Sequence, residues 1–273
     1  MALTFDDGPG DTTSQLLDIL DRYRVQATFF VSGNNNGRGP MDNPATGWPD
    51  VMRRMHAAGH QIGSHTWTHR DLDQLEREGA LDLRQSEITN NEMAFLNIFG
   101  WFPTYLRPPY LECSGGCQEF LREWGYHIIS TNVDTKDYEN DDPALIENSK
   151  RKFSDAVSRG PSGNGYIVLA HDVHYQTVVT LAPYMIEESR NRGYRLVTVG
   201  ECLGDPRQNW YRTSQLRRRS SEAPQSSSPQ AQAKPLPAAS PVYAKPTREL
   251  TSSPNQRCGA RFGYTCHGST FGT

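Results

Sequence analysis

Short apolar runs alternate with amphipathic stretches along the first two hundred residues. "ALTF" near the start, "ATFFVSG" at 27–33, "HQIGSH" ending at 65, "TYLRPPY", "YHIIST", "YIVLAH" and "YRLVTV" read as strands. Between them, "TTSQLLDILDRY", "DVMRRMHAAG", "LRQSEITNNEMAFLNIF" and "TVVTLAPYMIEESRNRG" carry apolar residues at helical spacing. This alternation predicts an α/β fold, a parallel sheet with helices outside. Six or seven such units favour a (β/α) barrel over an open sheet. In barrels of this kind the C-terminal strand ends build the active site. Asp6, Asp7, His65, Arg107, Asp134 and His171 all follow strand-like runs.

The pattern stops after about residue 212. "SSEAPQSSSPQAQAKPLPAASPVYAKP" has almost no core residues and predicts an extended linker. The expected organisation is a folded domain at 1–211, a Ser/Pro-rich linker at 212–256 and a short cysteine-bearing segment at 257–273. No apolar stretch approaches the roughly 20 residues of a membrane span. The chain opens inside a strand-like run without a leader signature, so a preceding segment is expected.

Net charge is −3, unevenly spread. From residue 214 on, eight Lys/Arg face two Asp/Glu, giving +6 and leaving −9 on the first 213 residues. An acidic body argues against a nucleic-acid substrate. The basic "RRR" at Arg217–Arg219 reads first as solvated linker, with a polyanion-binding patch as the alternative. Five cysteines are an odd number. Cys113 and Cys117 share a short loop, and Cys258 and Cys266 share the tail; close pairs suggest disulfides and an oxidising compartment. Cys202 is then expected to pair upstream of Met1.

The candidate chemistry begins with "FDDG" and "HTWTH". His65 and His69 are four apart, a spacing that on a helical turn puts both imidazoles on one face, able to share a metal. One carboxylate of the Asp6–Asp7 pair completes three ligands, which leaves room for water. The second carboxylate is free to take a proton from that water. Taken alone, "DDG" also reads as a capped turn and the histidines as surface residues. "RPPY" adds Arg107, a cation able to pin a carboxylate, and a stiffened backbone before Tyr110. "DTKDY" adds Asp134 and Asp137, and "VLAH" ends on His171, which Asp134 is expected to hold protonated.

The fragments "TFDDG", "HTWTH", "RPPY", "DTKDY" and "LAH", in this order, resemble the polysaccharide deacetylases of carbohydrate esterase family four, which share the NodB homology domain. The resemblance covers about residues 1 to 204. It implies a NodB-type distorted (β/α) barrel of about seven strands that hydrolyses acetyl groups on glycans. It implies Asp7, His65 and His69 as ligands of zinc, or of cobalt or another divalent transition metal. It implies Asp6 as general base held by Arg107, the Tyr110 N–H at the oxyanion, His171 as general acid tuned by Asp134, and Leu169 at the acetyl methyl. Tyr138 stands where many members carry Trp. The tail "RCGARFGYTCHGSTFG" resembles the start of a hevein-like chitin-binding module. Together these imply a secreted or cell-wall monomer acting on chitin or chitooligosaccharides. Peptidoglycan or acetylxylan as substrate, or a carbohydrate-binding role without catalysis, are the alternatives.

Overall fold

The computed structural model describes residues 1–35, 37–161 and 165–213. Nine strands are found there: β1 (Ala2–Asp6), β2 (Thr28–Val31), β3 (Gln61–Ser64), β4 (Phe102–Pro103), β5 (Tyr105–Leu106), β6 (His127–Ile128), β7 (Val133–Asp134), β8 (Ile167–His171) and β9 (Tyr211–Arg212). Seven of them form one parallel sheet in the order β6-β5-β3-β2-β1-β8-β7. Chain geometry forces this sheet to curl. Ile128 and Val133 are five Cα steps apart, a reach of at most about 18 Å. Seven strands laid flat would hold their edges about 29 Å apart. The edge strands β6 and β7 are therefore drawn together into an incomplete barrel, as the alternating pattern predicts.

The pleat sorts side chains between two faces. Leu3, Phe5, Phe29, Val168 and Ala170 pack outward into the main core under α1 (Thr13–Tyr23), α2 (Trp48–Ala57), α4 (Leu81–Phe99), α6 (Ile146–Ala156) and α7 (Ala182–Asn191). In α1, Leu16, Leu17, Ile19 and Leu20 form the buried stripe, and Arg24 ends the helix in the left-handed conformation. Ala2, Phe30, Tyr105, Ile129 and Ile167 fill the barrel interior instead. Gly63 is required there, because a Cβ would lie 2.6 Å from the Phe30 ring. A third cluster, with Leu72 and Leu75 of α3 (Leu72–Arg77) and Leu121 of α5 (Gly115–Glu123), surrounds a Cys113–Cys117 disulfide.

Several expectations change. The run "YRLVTV" is not a sheet strand: Val197 N donates to Met1 O at 3.0 Å, and Val197 joins Val199 in plugging the barrel floor. Both neighbours of β1 are already taken by β2 and β8, so no edge remains for it. The seventh strand is Val133–Asp134, ending on the first residue of "DTKDY". Cys202, on α8 (Val199–Leu203), is buried and disulfide-bonded, which overturns the expectation of a partner upstream of Met1. Arg212 pairs with Phe102 in a small antiparallel ladder and donates to Trp124 O at 2.6 Å, so it still belongs to the fold. The remaining linker and the Cys258–Cys266 segment lie outside the described residues.

Candidate active site

The C-terminal ends of β1, β3, β5, β7 and β8 converge at one rim. Non-glycine residues in the left-handed region cluster there: Asp7 (φ 76°), Thr66 (67°), His69 (60°), Tyr110 (59°), Leu111 (59°) and Lys136 (56°). Among the described residues only Arg24 shares that conformation elsewhere. Such backbone costs about 1–3 kcal/mol per residue and persists where surrounding structure over-determines it.

Asp6 and Asp7 point to different tasks because the strand ends between them. Asp6 keeps the inward face of β1, in register with His171 on β8 and Phe30 on β2. Arg107 Nη1 donates to Asp6 Oδ1 at 2.8 Å and to Thr4 Oγ1 at 2.6 Å. Its other nitrogens reach the carbonyls of Ile129 and Ser130, both at 3.4 Å, and its guanidinium lies 4.2 Å from the Phe30 ring centroid. Arg107 is fully buried, and its bonds tie β1 to the chain just after β6. Burial nevertheless outweighs Arg107 and holds the Asp6 carboxyl above its ordinary range.

Asp7 turns away and meets the two histidines. Its Oδ1 is 3.5 Å from His65 Nε2 and 3.3 Å from His69 Nε2. The spacing of four works through a loop and not a helical turn: β3 ends at Ser64, and Thr66 and His69 reverse the chain by left-handed steps. His65 Nδ1–H donates to Arg107 O at 2.7 Å, which fixes the tautomer and leaves Nε2 free to ligate. Burial, with His69 beside it, pushes the His65 imidazole down to about 3, so the ring is neutral.

These residues fit a divalent transition metal. One donor atom from each of Asp7, His65 and His69 lies within 4.8 Å of the others. Asp7 Oδ1 is buried and has no hydrogen-bond partner, an arrangement that costs free energy unless something else binds it. Two imidazoles and a carboxylate are a three-ligand set of the kind that holds catalytic zinc.

His171 shows the largest departure from expectation. Its Nδ1 is 2.8 Å from Asp137 Oδ1, and its backbone N donates to Asp137 Oδ2 at 2.7 Å. Asp134 does not reach it. The Asp134 carboxylate instead accepts from Lys136 N at 2.9 Å and pairs with Lys136 Nζ at 3.5 Å. Left-handed Lys136 turns the chain after β7, so the residue three positions later, not the strand residue, folds under β8. Burial opposes charge on His171, but the Asp137 carboxylate beside it prevails and the imidazole is pushed up to about 9. Asp137 is itself buried, yet the His171 charge and bonds hold its carboxyl below its ordinary range. Both aspartates stand in one motif, and nothing in their spacing marks which one faces the histidine.

The walls follow the same register. Leu169 shares the inward face with His171, opposite Thr4. The Tyr138 ring packs edge-on to His171 at 5.4 Å and stays 42% exposed. The Tyr110 ring packs edge-on to His69 at 4.7 Å and is 64% exposed, so the mouth is open and aromatic.

Residues 1–129 match the family model described as Polysaccharide deacetylase. A protein named "Chitin deacetylase" from Colletotrichum lindemuthianum is 50% identical over 212 residues, covering 78% of this chain and 82% of that protein. A "Probable peptidoglycan-N-acetylglucosamine deacetylase" from Arthroderma benhamiae is 43% identical over 215 residues but is covered over only 46% of its length. The solved structure of the Colletotrichum lindemuthianum chitin deacetylase superposes with a TM-score of 0.71 at 49% identity, covering 77% of this chain and 90% of that one.

Proposed function

Because this chain belongs to the polysaccharide deacetylase family and is a hydrolase of amide bonds, we propose that it removes N-acetyl groups from N-acetylglucosamine units of chitin, releasing acetate and leaving glucosamine. The observation that carries the reading is the juxtaposition of Asp6 and His171 in register on β1 and β8, beside the Asp7–His65–His69 cluster. An acid and a base thus flank one point next to a metal-binding set.

Asp7, His65 and His69 would hold zinc, which supplies polarisation of the acetyl carbonyl and acidification of water. Asp6 takes the proton of the attacking water, and Arg107 fixes that carboxylate in the barrel mouth. The Tyr110 backbone N–H donates to the oxygen on which negative charge develops. As the C–N bond breaks, the protonated His171 gives its Nε2 proton to the departing amine. Asp137 holds the opposite ring nitrogen and keeps the donor face towards the substrate. Leu169 meets the acetyl methyl, and the Tyr138 ring borders the sugar.

Residues 1–212 form the catalytic unit in this reading, and the protein works as a monomer outside the cell, where the Cys113–Cys117 bond is stable. N-acetylglucosamine is common to both named relatives, so the polymer is separated by experiment. Acetate release from chitooligosaccharides, peptidoglycan and acetylxylan tests it, with chitooligosaccharides expected to react fastest; a preference for acetylxylan would refute the reading.

A further inference from the structure

We propose that Arg38 is a positioning residue for Asp7, locking its backbone in the left-handed turn that aims the carboxylate at His65 and His69. This rests on the metal-binding reading given above. Arg38 follows β2 and is half-buried. Its Nη2 donates to the Asp7 carbonyl oxygen, and its Nε donates to the Asn35 carbonyl at 3.3 Å. Its own carbonyl accepts from Trp48 Nε1 at 3.1 Å, which ties the loop to the start of α2.

The backbone of Asp7 is gripped from both sides. Its N–H donates to Phe30 O at 3.2 Å, and Ser32 N donates to Gly8 O at 3.1 Å. The carbonyl between these two strand-like bonds is the one Arg38 takes. An L-residue with a Cβ resists φ 76° and keeps it only where neighbours impose it. The bond goes to the peptide of Asp7, which leaves the carboxylate free to face the imidazoles.

Charge adds to geometry. Arg38 faces Asp7, Asp11 and Asp172. Asp172 is fully buried directly behind Gly8, where a Cβ would come within 2.1 Å of its Oδ2. That oxygen accepts from Thr13 Oγ1 at 2.5 Å. Two carboxylates thus crowd one turn of chain, and the guanidinium beside them offsets their repulsion while holding the carbonyl.

The test measures zinc affinity by competition with a chromophoric chelator, using the whole chain with Arg38→Gln, Arg38→Met and Arg38→Lys. Melting of the metal-free proteins identifies which variants are folded; either uncharged variant suffices. The dissociation constant for zinc is expected to rise roughly 10–100-fold in Gln or Met, with Lys recovering most of the loss and activity returning at saturating zinc. A folded Gln or Met variant that binds zinc as tightly as the unaltered protein overturns the assignment of Arg38 alone. Failure of the unaltered protein to bind zinc overturns the metal reading with it.

Discussion

His171 Nδ1 lies 2.8 Å from Asp137 Oδ1, while Asp134, three residues earlier, is turned towards Lys136. In the proposed mechanism this pair makes Asp137, not Asp134, the aspartate that sets the alkaline limb of the pH profile. His171 is raised from 6.5 to about 9, so it is protonated at neutrality and loses its proton as pH rises through about 9. Activity that needs an acid therefore falls on the alkaline side. Asp137→Asn is expected to pull that limb down by about 1 unit or more, because an opposite charge in contact is lost. Asp134→Asn leaves it in place. The pH–rate profiles of both variants check this. Stability carries the same sign: the His171 contribution is full below about 6.5 and is lost as pH rises through about 9.

The proposed mechanism makes Asp6 the base and Asp7 a metal ligand. Asp6→Asn is expected to retain bound metal, since Asp7, His65 and His69 remain, and to lose roughly 10²-fold or more in turnover. Asp7→Asn is expected to lose the metal. Metal content by elemental analysis, read beside turnover, separates them; the opposite pattern exchanges their roles.

Arg107 and Asp6 are both buried, so breaking the pair from one side strands a charge. Arg107→Leu is expected to destabilise the fold by about 3–5 kcal/mol. The double variant Arg107→Leu with Asp6→Asn should lose less than the two single losses combined. Denaturant unfolding of the three proteins measures the coupling.

The Cys113–Cys117 bond closes a very short loop after Tyr110. Loop entropy then limits its contribution to about 2 kcal/mol. Cys113→Ser with Cys117→Ser should stay folded with a modestly lower melting temperature. Peptide mapping without reductant should find the 113–117 link in the unaltered protein.

Legibility in the sequence followed the length of each apolar run. β1, β2 and β8 are buried over four or five consecutive residues and stand out against polar flanks. β7 is two residues long and was missed, whereas the equally short β5 and β6 lie within the longer runs "TYLRPPY" and "YHIIST". Tyr194–Val199 has the composition of a strand, but it caps the barrel floor because β1 has no open edge. The His65–His69 pair came from spacing, although the helical turn invoked for it is a loop with left-handed residues, and the choice of Asp7 over Asp6 came from the family resemblance. The partner of His171 depended on one backbone reversal at Lys136, which residue type alone does not announce. Arg38 went unnoticed for a similar reason: its bond is to a backbone oxygen, and no sequence motif marks that.

Acetate release from a chitooligosaccharide by the metal-free protein, before and after adding one equivalent of zinc, tests the central claim most directly. The account predicts negligible release without metal and recovery with zinc, with Asp7→Asn failing to recover under the same conditions. Full acetate release by the metal-free protein, or none by the zinc-loaded protein, would contradict it.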